Sequence, residues 1–302
     1  MLQLARRSKR AVFRPLQGPG KDGTAAMLFL APSLIGFAVF YLFPFIGGFY
    51  YSLMDSPVEG SFVGAANYAE VWNSDSFRKA AANTAYFTGI GVPLLLTVSL
   101  LMAILLNRSF PLRRWIRTAF VLPLVLPVAS VVLFWQVLFD TNGWLNRLIV
   151  DWGYAPVSWM ESGEARTVII LMYVWKNAGY NIVLLLAGLQ TIPKDYYETA
   201  SIDGAGKVRQ FFGITLRYLI PTLFFVTIMS VVGSFKVFRE TYLMSGEYPH
   251  DSIYMLQHYM NNMFLSLDYQ KLTSAAYIMA AGMIAVVVLL FQADSRFRRS
   301  IE

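Results

Sequence analysis

The chain has 302 residues, of which 56% are hydrophobic and only 14% are charged. Because soluble domains carry roughly 25% charged residues, this deficit excludes an ordinary water-soluble protein. With no cysteine and only two histidines, the chain also lacks the residues for a disulfide framework or a histidine-rich metal site, and no cofactor is expected.

Six apolar segments are long enough to cross a bilayer as helices, which takes about 20 residues each. Four of them contain no charged residue, namely 25–54, 80–106, 118–139 and 272–293. The other two, 167–193 and 218–244, carry charges inside them. The basic segment before the first run resembles a signal peptide, but that run is too long and no small-residue cleavage site follows it. The pattern predicts an all-α integral membrane protein with six transmembrane helices, the first of them retained.

Lysine and arginine are distributed unevenly between the segments that join the spans. Segments 1–23, 107–117, 191–217 and 294–302 hold 17 of the 25 Lys and Arg residues, whereas 55–79, 140–166 and 245–271 hold five. The positive-inside rule then makes the first set, including both termini, cytoplasmic. We therefore predict a basic cytoplasmic segment 1–24, a transmembrane domain 25–293 and a cytoplasmic tail 294–302. The net charge of +7 reflects this topology and does not indicate nucleic-acid binding.

The cytoplasmic segment 191–217 is not a plain linker. It reads TIPKDYYETASIDGAGKVRQFFGITLR. Asp195 is expected to cap a short helix over 196–202, since Asp is a favoured N-cap residue. Gly204 and Gly206 permit a tight turn, and a second helical run over 207–217 leads into the fifth span. The segment is therefore predicted to form a rigid projection from the membrane surface.

The same segment resembles a known signature. The matching residues are Ile192-Pro193, Tyr197-Glu198-Thr199-Ala200, Ile202-Asp203-Gly204-Ala205, Phe211 and Ile214-Thr215-Leu216. They resemble the "EAA" signature of membrane subunits of binding-protein-dependent ATP-binding-cassette importers, in the wording used by carbohydrate permeases of the maltose-transporter type. Two residues depart from the signature: Thr199 replaces an alanine, and Arg217 replaces a proline, so the fifth span is expected to begin without the usual break.

Shorter matches to the same family occur in order along the chain. They are Pro32-Ser33 with Tyr41 and Pro44, Phe62-Val63-Gly64 with Asn67-Tyr68, Asn83-Thr84, Leu122-Pro123, Gly143 with Asn146, and Leu186-Ala187-Gly188-Leu189-Gln190. The resemblance implies the type I importer permease (MetI-like) fold in a bacterial or archaeal cytoplasmic membrane.

The resemblance also implies a division of labour. A coupling helix at about 196–206 would dock into a groove of the ATPase, with Tyr197, Glu198, Ala200, Asp203, Gly204 and Ala205 as the coupling residues. The partners would be a second, related permease in a heterodimer, two copies of the ATPase and an extracytoplasmic solute-binding protein. The chain has no Walker-type phosphate loop and is expected not to be an enzyme. The alternative for the short helix is an amphipathic helix that contacts only lipid.

Polar residues inside spans are functional candidates by default. In span four they are Trp175, Lys176, Asn177, Tyr180 and Asn181; in span five they are Ser234, Lys236, Arg239 and Glu240; in span three they are Ser130, Trp135 and Gln136. The groups of spans four and five reach similar depths, which predicts a polar cavity between them that opens to the outside. The alternative is structural: Lys236 and Glu240 would pair on one helix face, and Lys176 would extend its amine toward the exterior.

These features favour a permease subunit for a sugar or oligosaccharide. A second possibility keeps the family but changes the solute to an anion, such as a glycerol phosphate or a sugar acid, because Lys176, Lys236 and Arg239 are cations. A third, an ion-coupled secondary carrier, is disfavoured by the absence of a repeat and by a single intramembrane acid, Glu240.

Overall fold

The computed structural model describes residues 21–56, 58–109 and 111–299. Most of the predicted basic segment 1–24 and the last three residues of the predicted tail lie outside these ranges. The described chain is almost entirely helical, with one isolated antiparallel bridge between Met54 and Phe62.

The first transmembrane segment belongs to a unit that ends at Tyr50. It contains helix α1 (Lys21–Phe37), a π-helical turn (Ala38–Leu42) and all but the last two residues of α2 (Phe43–Ser52). Most of its large apolar side chains are exposed, with Phe29 87% exposed. Such a surface is stable in hydrocarbon and unfavourable in water, as expected for a first span.

The second unit runs from Tyr51 onward and contains the remaining helices. They are α3 (Ala66–Asn73), α4 (Asp75–Asn107), α5 (Arg113–Val125), α6 (Val128–Phe139), α7 (Trp144–Asp151), α8 (Ala165–Gln190), α9 (Lys194–Ile202), α10 (Lys207–Gln210), α11 (Leu216–Ser234), α12 (Phe238–Ser245), α13 (Leu256–Leu265) and α14 (Tyr269–Arg299). A π-helical turn (Phe211–Thr215) joins α10 to α11, and a 3₁₀ turn (Asp251–Ile253) precedes α13.

Helix α8 lies at the centre of this unit, packed along α4 and against α5 and α11. Two glycines allow the close approach. A Cβ at Gly179 would lie 2.0 Å from the backbone oxygen of Phe120 in α5, and one at Gly188 would lie 2.7 Å from Oγ1 of Thr222 in α11. Small residues at such crossings let helix backbones approach in a membrane, where van der Waals packing drives association.

The third span differs from its prediction. Within the described ranges, five helical segments are long and apolar enough to cross a membrane, and a sixth is counted only if a bent pair is one span. That pair, Arg113–Val125 and Val128–Asp151, is bent by 106°. Leu126 is extended (φ −70°, ψ 137°), because a residue that precedes proline is disfavoured in the helical region. The predicted third span is therefore a broken pair of helices and not one straight helix, and Pro127 is the sequence signal for the break.

The fifth span is also interrupted. Between α11 and α12, the amide of Lys236 bonds the carbonyl of Gly233 at 3.0 Å, and the amide of Glu240 bonds that of Val237 at 3.1 Å. These are bonds three residues apart, which tighten the chain relative to an α-helix. Lys236 and Glu240 therefore do not share one regular helix face, and the expected pair between them is not formed.

Asparagines of the family-matching segments secure the loops. The Asn67 amide donates to the carbonyls of Ser52 (3.0 Å) and Met54 (2.8 Å). The buried Asn146 amide group donates to the carbonyls of Asp140 and Val157, and its oxygen accepts from the Val157 amide at 2.9 Å. Each side chain replaces backbone partners that an irregular loop lacks.

A second such network joins α4, α8 and the loop before α13. The Asn83 amide donates to the carbonyls of Asp251 (2.7 Å) and Tyr254 (2.9 Å), and Arg166 donates to the Asn83 side-chain oxygen at 2.7 Å. Thr84 accepts the amide of Leu256 at 3.0 Å. This end of the bundle, predicted to be external, is therefore held by polar bonds as well as by packing.

Candidate translocation and coupling sites

A cavity of about 220 Å³ lies between α8 and the interrupted part of the fifth span. It is lined by Met172, Tyr173, Lys176, Asn177, Gly233, Lys236, Val237, Arg239 and Glu240. The structure thus brings together four of the residues predicted for the substrate pathway, and Arg239 with them. Lys236, Arg239 and Glu240 lie in or just after the turn at 235–237 between α11 and α12, and they line the cavity opposite Lys176 and Asn177 of α8.

Lys176 and Glu240 form an ion pair across this cavity. Their side chains are only 14% and 9% exposed. The partner of Glu240 is therefore Lys176 on α8 and not Lys236 on its own span. The second carboxylate oxygen of Glu240 is buried and has no hydrogen-bond partner among the described residues. Because desolvating two charges is costly, such a pair is weak evidence for stability, and a buried ion pair within the spans makes this cavity a candidate functional site.

Lys236 and Arg239 line the same cavity but are exposed. Neither forms an ion pair with any residue that the structure describes. With Lys176 and Glu240 neutralising each other, the cavity keeps two positive charges. A cation costs about 2.5–3.5 kcal/mol at the centre of a span on translocation scales and less toward its ends, so these two, in the predicted outer half, still require water, lipid phosphate or an anion nearby.

Other predicted pathway residues contribute to helix packing. The Asn181 amide donates to the Ser230 hydroxyl at 3.0 Å, which ties α8 to α11. The Ser234 hydroxyl is 2.9 Å from that of Thr88, which ties α11 to α4. Asn181 and Ser234 are both buried and do not line the cavity.

The remaining candidates lie around α6 or beside the cavity. Trp175 stacks on Phe134 with ring centroids 6.0 Å apart, so its face is already partly occupied by an aromatic neighbour. Gln136 donates to two carbonyls at the end of α12, each at 3.3 Å. Ser130 is exposed on α6, and Tyr180 is half-buried and outside the cavity. Asn177 lines the cavity while its amide donates to the carbonyl of Tyr173 at 2.8 Å.

Tyr173 is a cavity residue that sequence reasoning missed. Its hydroxyl donates to the carbonyl of Ser230 at 2.7 Å, and its ring packs edge-on against Phe87 at 5.2 Å. It therefore forms a wall between α8, α11 and α4. The available signal was its position one helical turn before Asn177, on the same face.

The two helices and the glycine turn of the predicted projection are present as α9, a turn at 203–206 and α10. Helix α9 begins at Lys194, and Pro193 is its N-cap; Asp195 lies in the first turn and makes no capping bond, so the expected role of Asp195 as cap is wrong. Asp195 still favours this end of the helix, because an acid in the first turn complements the helix dipole. Gly204 has φ +76°, a left-handed conformation that suits glycine at the end of a helix.

Side-chain bonds make the projection rigid. The buried Gln210 amide donates to the Ser201 hydroxyl (2.8 Å) and to the carbonyl of Ala205 (3.0 Å). The Tyr197 hydroxyl lies 2.9 Å from that of Thr215, in the π-helical turn before α11. Gln210 was not among the predicted residues, although it is the side chain that connects the two halves of the turn. The run 207–217 is helical as expected, but it includes this π-helical turn.

The outer face of the projection presents acids and exposed apolar side chains, including Ile202 and Val208. Glu198 and Asp203 are exposed, Ala200 and Ala205 are half-buried, and Ile202 is 86% exposed. A largely exposed isoleucine near two carboxylates is costly in water and suits a surface that another protein covers.

Comparisons with known proteins agree with this architecture. The family described as "Binding-protein-dependent transport system inner membrane component" matches residues 95–301. The chain is 34% identical over 225 residues to the arabinooligosaccharides transport system permease protein AraP of Bacillus subtilis, covering 73% of this chain and 72% of AraP. It is 32% identical over 282 residues to the sulfoquinovosyl glycerol transport system permease protein SmoG of Agrobacterium fabrum, covering 89% and 90%.

The fold also matches a solved structure. A chain of a bacterial ABC transporter involved in the import of the acidic polysaccharide alginate superposes with a TM-score of 0.81 at 21% identity, covering 91% of this chain and 96% of that chain. At this identity the likeness concerns the fold alone. The helical architecture, the family match and the relatives together show that this multi-pass membrane protein belongs to the binding-protein-dependent inner membrane components, as a permease subunit of an ATP-binding-cassette importer.

Proposed function

We propose that this chain forms half of the pathway of a sugar or oligosaccharide importer and transmits the motion of an ATPase through segment 191–217. The observation that carries the proposal is the continuity between the two sites. Helix α8 runs from Lys176 in the cavity to Gln190 at the projection, about 21 Å at 1.5 Å per residue. Helix α11 returns from the projection to the break beside Glu240.

The projection is suited to transmit a displacement. Because Gln210 and Tyr197 bond it to itself and to the start of α11, a push on α9 moves the ends of α8 and α11 and does not simply deform a loop. The buried ion pair between Lys176 and Glu240 lies where these two spans meet. A shift of one span against the other would therefore rearrange the cavity, as in shear or hinge transitions.

The exposed acids support a protein partner for α9. Glu198 and Asp203 would meet anionic headgroups unfavourably if the helix lay on the cytoplasmic leaflet. We propose two ATPase copies on this face, a second, related permease beside this chain and an extracytoplasmic binding protein on the opposite face. Both termini, with segments 1–24 and 294–302, would be cytoplasmic. The solute is proposed from the relatives, since AraP is named for arabinooligosaccharides.

Replacement of Glu198 by arginine tests the coupling role. Charge reversal on an exposed side chain leaves folding intact, so membrane insertion and assembly are expected to be unchanged while ATP-driven uptake and solute-stimulated ATPase activity are lost. Glu164→Arg, an exposed reversal on the predicted external side, is the matched control. Unchanged uptake in the Glu198 variant would refute the role of this helix.

A further inference from the structure

We propose that the imported saccharide carries an acidic group and that Lys236 and Arg239 bind it in the cavity between α8 and α12. This inference rests on the proposed function as a saccharide importer and concerns the substrate class of the same site. It depends on the charges that remain once the pair between Lys176 and Glu240 is accounted for.

The cavity holds three cations and one acid among its lining residues. Lys176 is committed to Glu240, and both side chains are largely buried, so this pair has little charge to offer a solute. Lys236 and Arg239 remain exposed to the cavity, without an ion pair among the described residues. A neutral sugar would displace water from these two cations without supplying a negative charge to either, which is unfavourable. A carboxylate, sulfonate or phosphate would compensate both.

The chemistry of the two side chains favours such a group. Arginine presents a planar fork of donors that matches a carboxylate or phosphate, and lysine adds a point charge. Asn177 lies on the same wall; one N–H of its amide bonds the carbonyl of Tyr173, and its oxygen and second N–H suit a sugar hydroxyl. The site therefore combines charge for an acid with hydrogen bonding for a sugar.

The size of the cavity limits what it holds. At about 220 Å³ it is smaller than the roughly 300–1,000 Å³ of pockets that enclose drug-sized ligands. One acidic sugar unit fits this space better than a whole oligosaccharide. Lipid phosphate is the competing source of an anion, because Arg239 lies five residues before Met244, about 8 Å along the helix, and so lies near the predicted outer membrane surface.

The first experiment uses the assembled importer with its binding protein in proteoliposomes. Three probes are compared for stimulated ATPase activity: a galacturonate disaccharide, the neutral galactose disaccharide of the same linkage, and glycerol 3-phosphate. Stimulation by the galacturonate but not by the neutral disaccharide supports the inference. Stimulation by the neutral disaccharide alone overturns it while the proposed function stands. Stimulation by glycerol 3-phosphate alone keeps the anion site but overturns the saccharide importer, and no stimulation by any probe overturns both.

The second experiment assigns the effect to the two residues. Lys236→Gln and Arg239→Gln are each expected to raise the KM for the acidic probe about tenfold or more, as for loss of a charged hydrogen bond, with little change in kcat. Lys236→Arg, which keeps the charge, should retain uptake. Arg147→Gln, which removes an exposed cation at the predicted external end, is the control. If the KM is unchanged in the glutamine variants and only stability in lipid falls, these cations bind headgroups and the inference is wrong.

Discussion

The ion pair between Lys176 and Glu240 makes a quantitative prediction about this membrane protein. Replacing Lys176 by methionine leaves the Glu240 carboxylate in a site where it is only 9% exposed and where one of its oxygens has no hydrogen-bond partner among the described residues. Breaking a buried pair in this way costs about 3–5 kcal/mol, whereas replacing both partners by neutral residues of similar shape is often close to neutral. Lys176→Met and Glu240→Gln are therefore expected to be much more destabilising singly than together.

The double-mutant cycle isolates this effect. The free energy of unfolding would be measured for the purified chain with its partners in mixed micelles, for wild type, both single variants and the double variant. The expected coupling energy is about 3 kcal/mol, since the penalty of an unpaired charge appears in each single variant and is absent from the double variant. Lys176 has the more exposed side chain, so the Glu240→Gln variant is expected to be the milder of the two single variants.

An exposed ion pair provides the control. Lys79 and Asp251 are 2.9 Å apart with side chains 47% and 76% exposed, so water screens them and their coupling should be several times smaller. If the Lys176 and Glu240 variants are additive, or if their coupling equals that of the control pair, the buried ion pair does not exist in the folded protein. Lys176 and Glu240 would then not face each other across the cavity.

Three other outcomes follow from the packing and the loops. Gly179→Ala should sharply reduce the amount of folded protein, because its Cβ would lie 2.0 Å from a backbone oxygen. Gly89→Ala, whose Cβ would have no packing neighbour within 4 Å among the described residues, should be tolerated. Fluorescence-detected size exclusion measures the amount of folded protein for both variants. Asn146→Ala should lower the free energy of unfolding by about 2–4 kcal/mol, because the buried backbone groups bonded to Asn146 lose their hydrogen bonds. A lower melting temperature would report this loss. Burial lowers the pKa of His258 to about 4 from its usual 6.5, so the neutral ring stabilises the fold fully above pH 6.5 and progressively less as the pH falls toward 4. Unfolding measured across this range should show a smaller pH dependence in His258→Gln, and an unchanged pH dependence would contradict a buried neutral ring.

Local sequence rules were sufficient for several features. Apolar length predicted the spans, since a helix must satisfy its own backbone bonds across about 30 Å of hydrocarbon. The turn residues of 191–217 predicted the projection, because Gly204 adopts a left-handed conformation that is favourable only for a few residue types. The family-matching residues Asn83 and Asn146 also have a clear physical role. Their side chains bond backbone groups in loops, which have no partner in a helix or sheet.

Only the tertiary structure decided which side chains meet. Spacing along the chain suggested Lys236 as the partner of Glu240, but the break at 235–237 removes the regular helix on which that rule depends, and Glu240 pairs with Lys176 instead. The same structure places Asn181 and Ser234 in contacts between helices and not in the cavity. The physical reason is that periodicity shows which residues share a face of one helix. It does not show which neighbouring helix that face contacts. The rotation of one helix against another depends on contacts such as Gly179 on α5, which no local pattern contains.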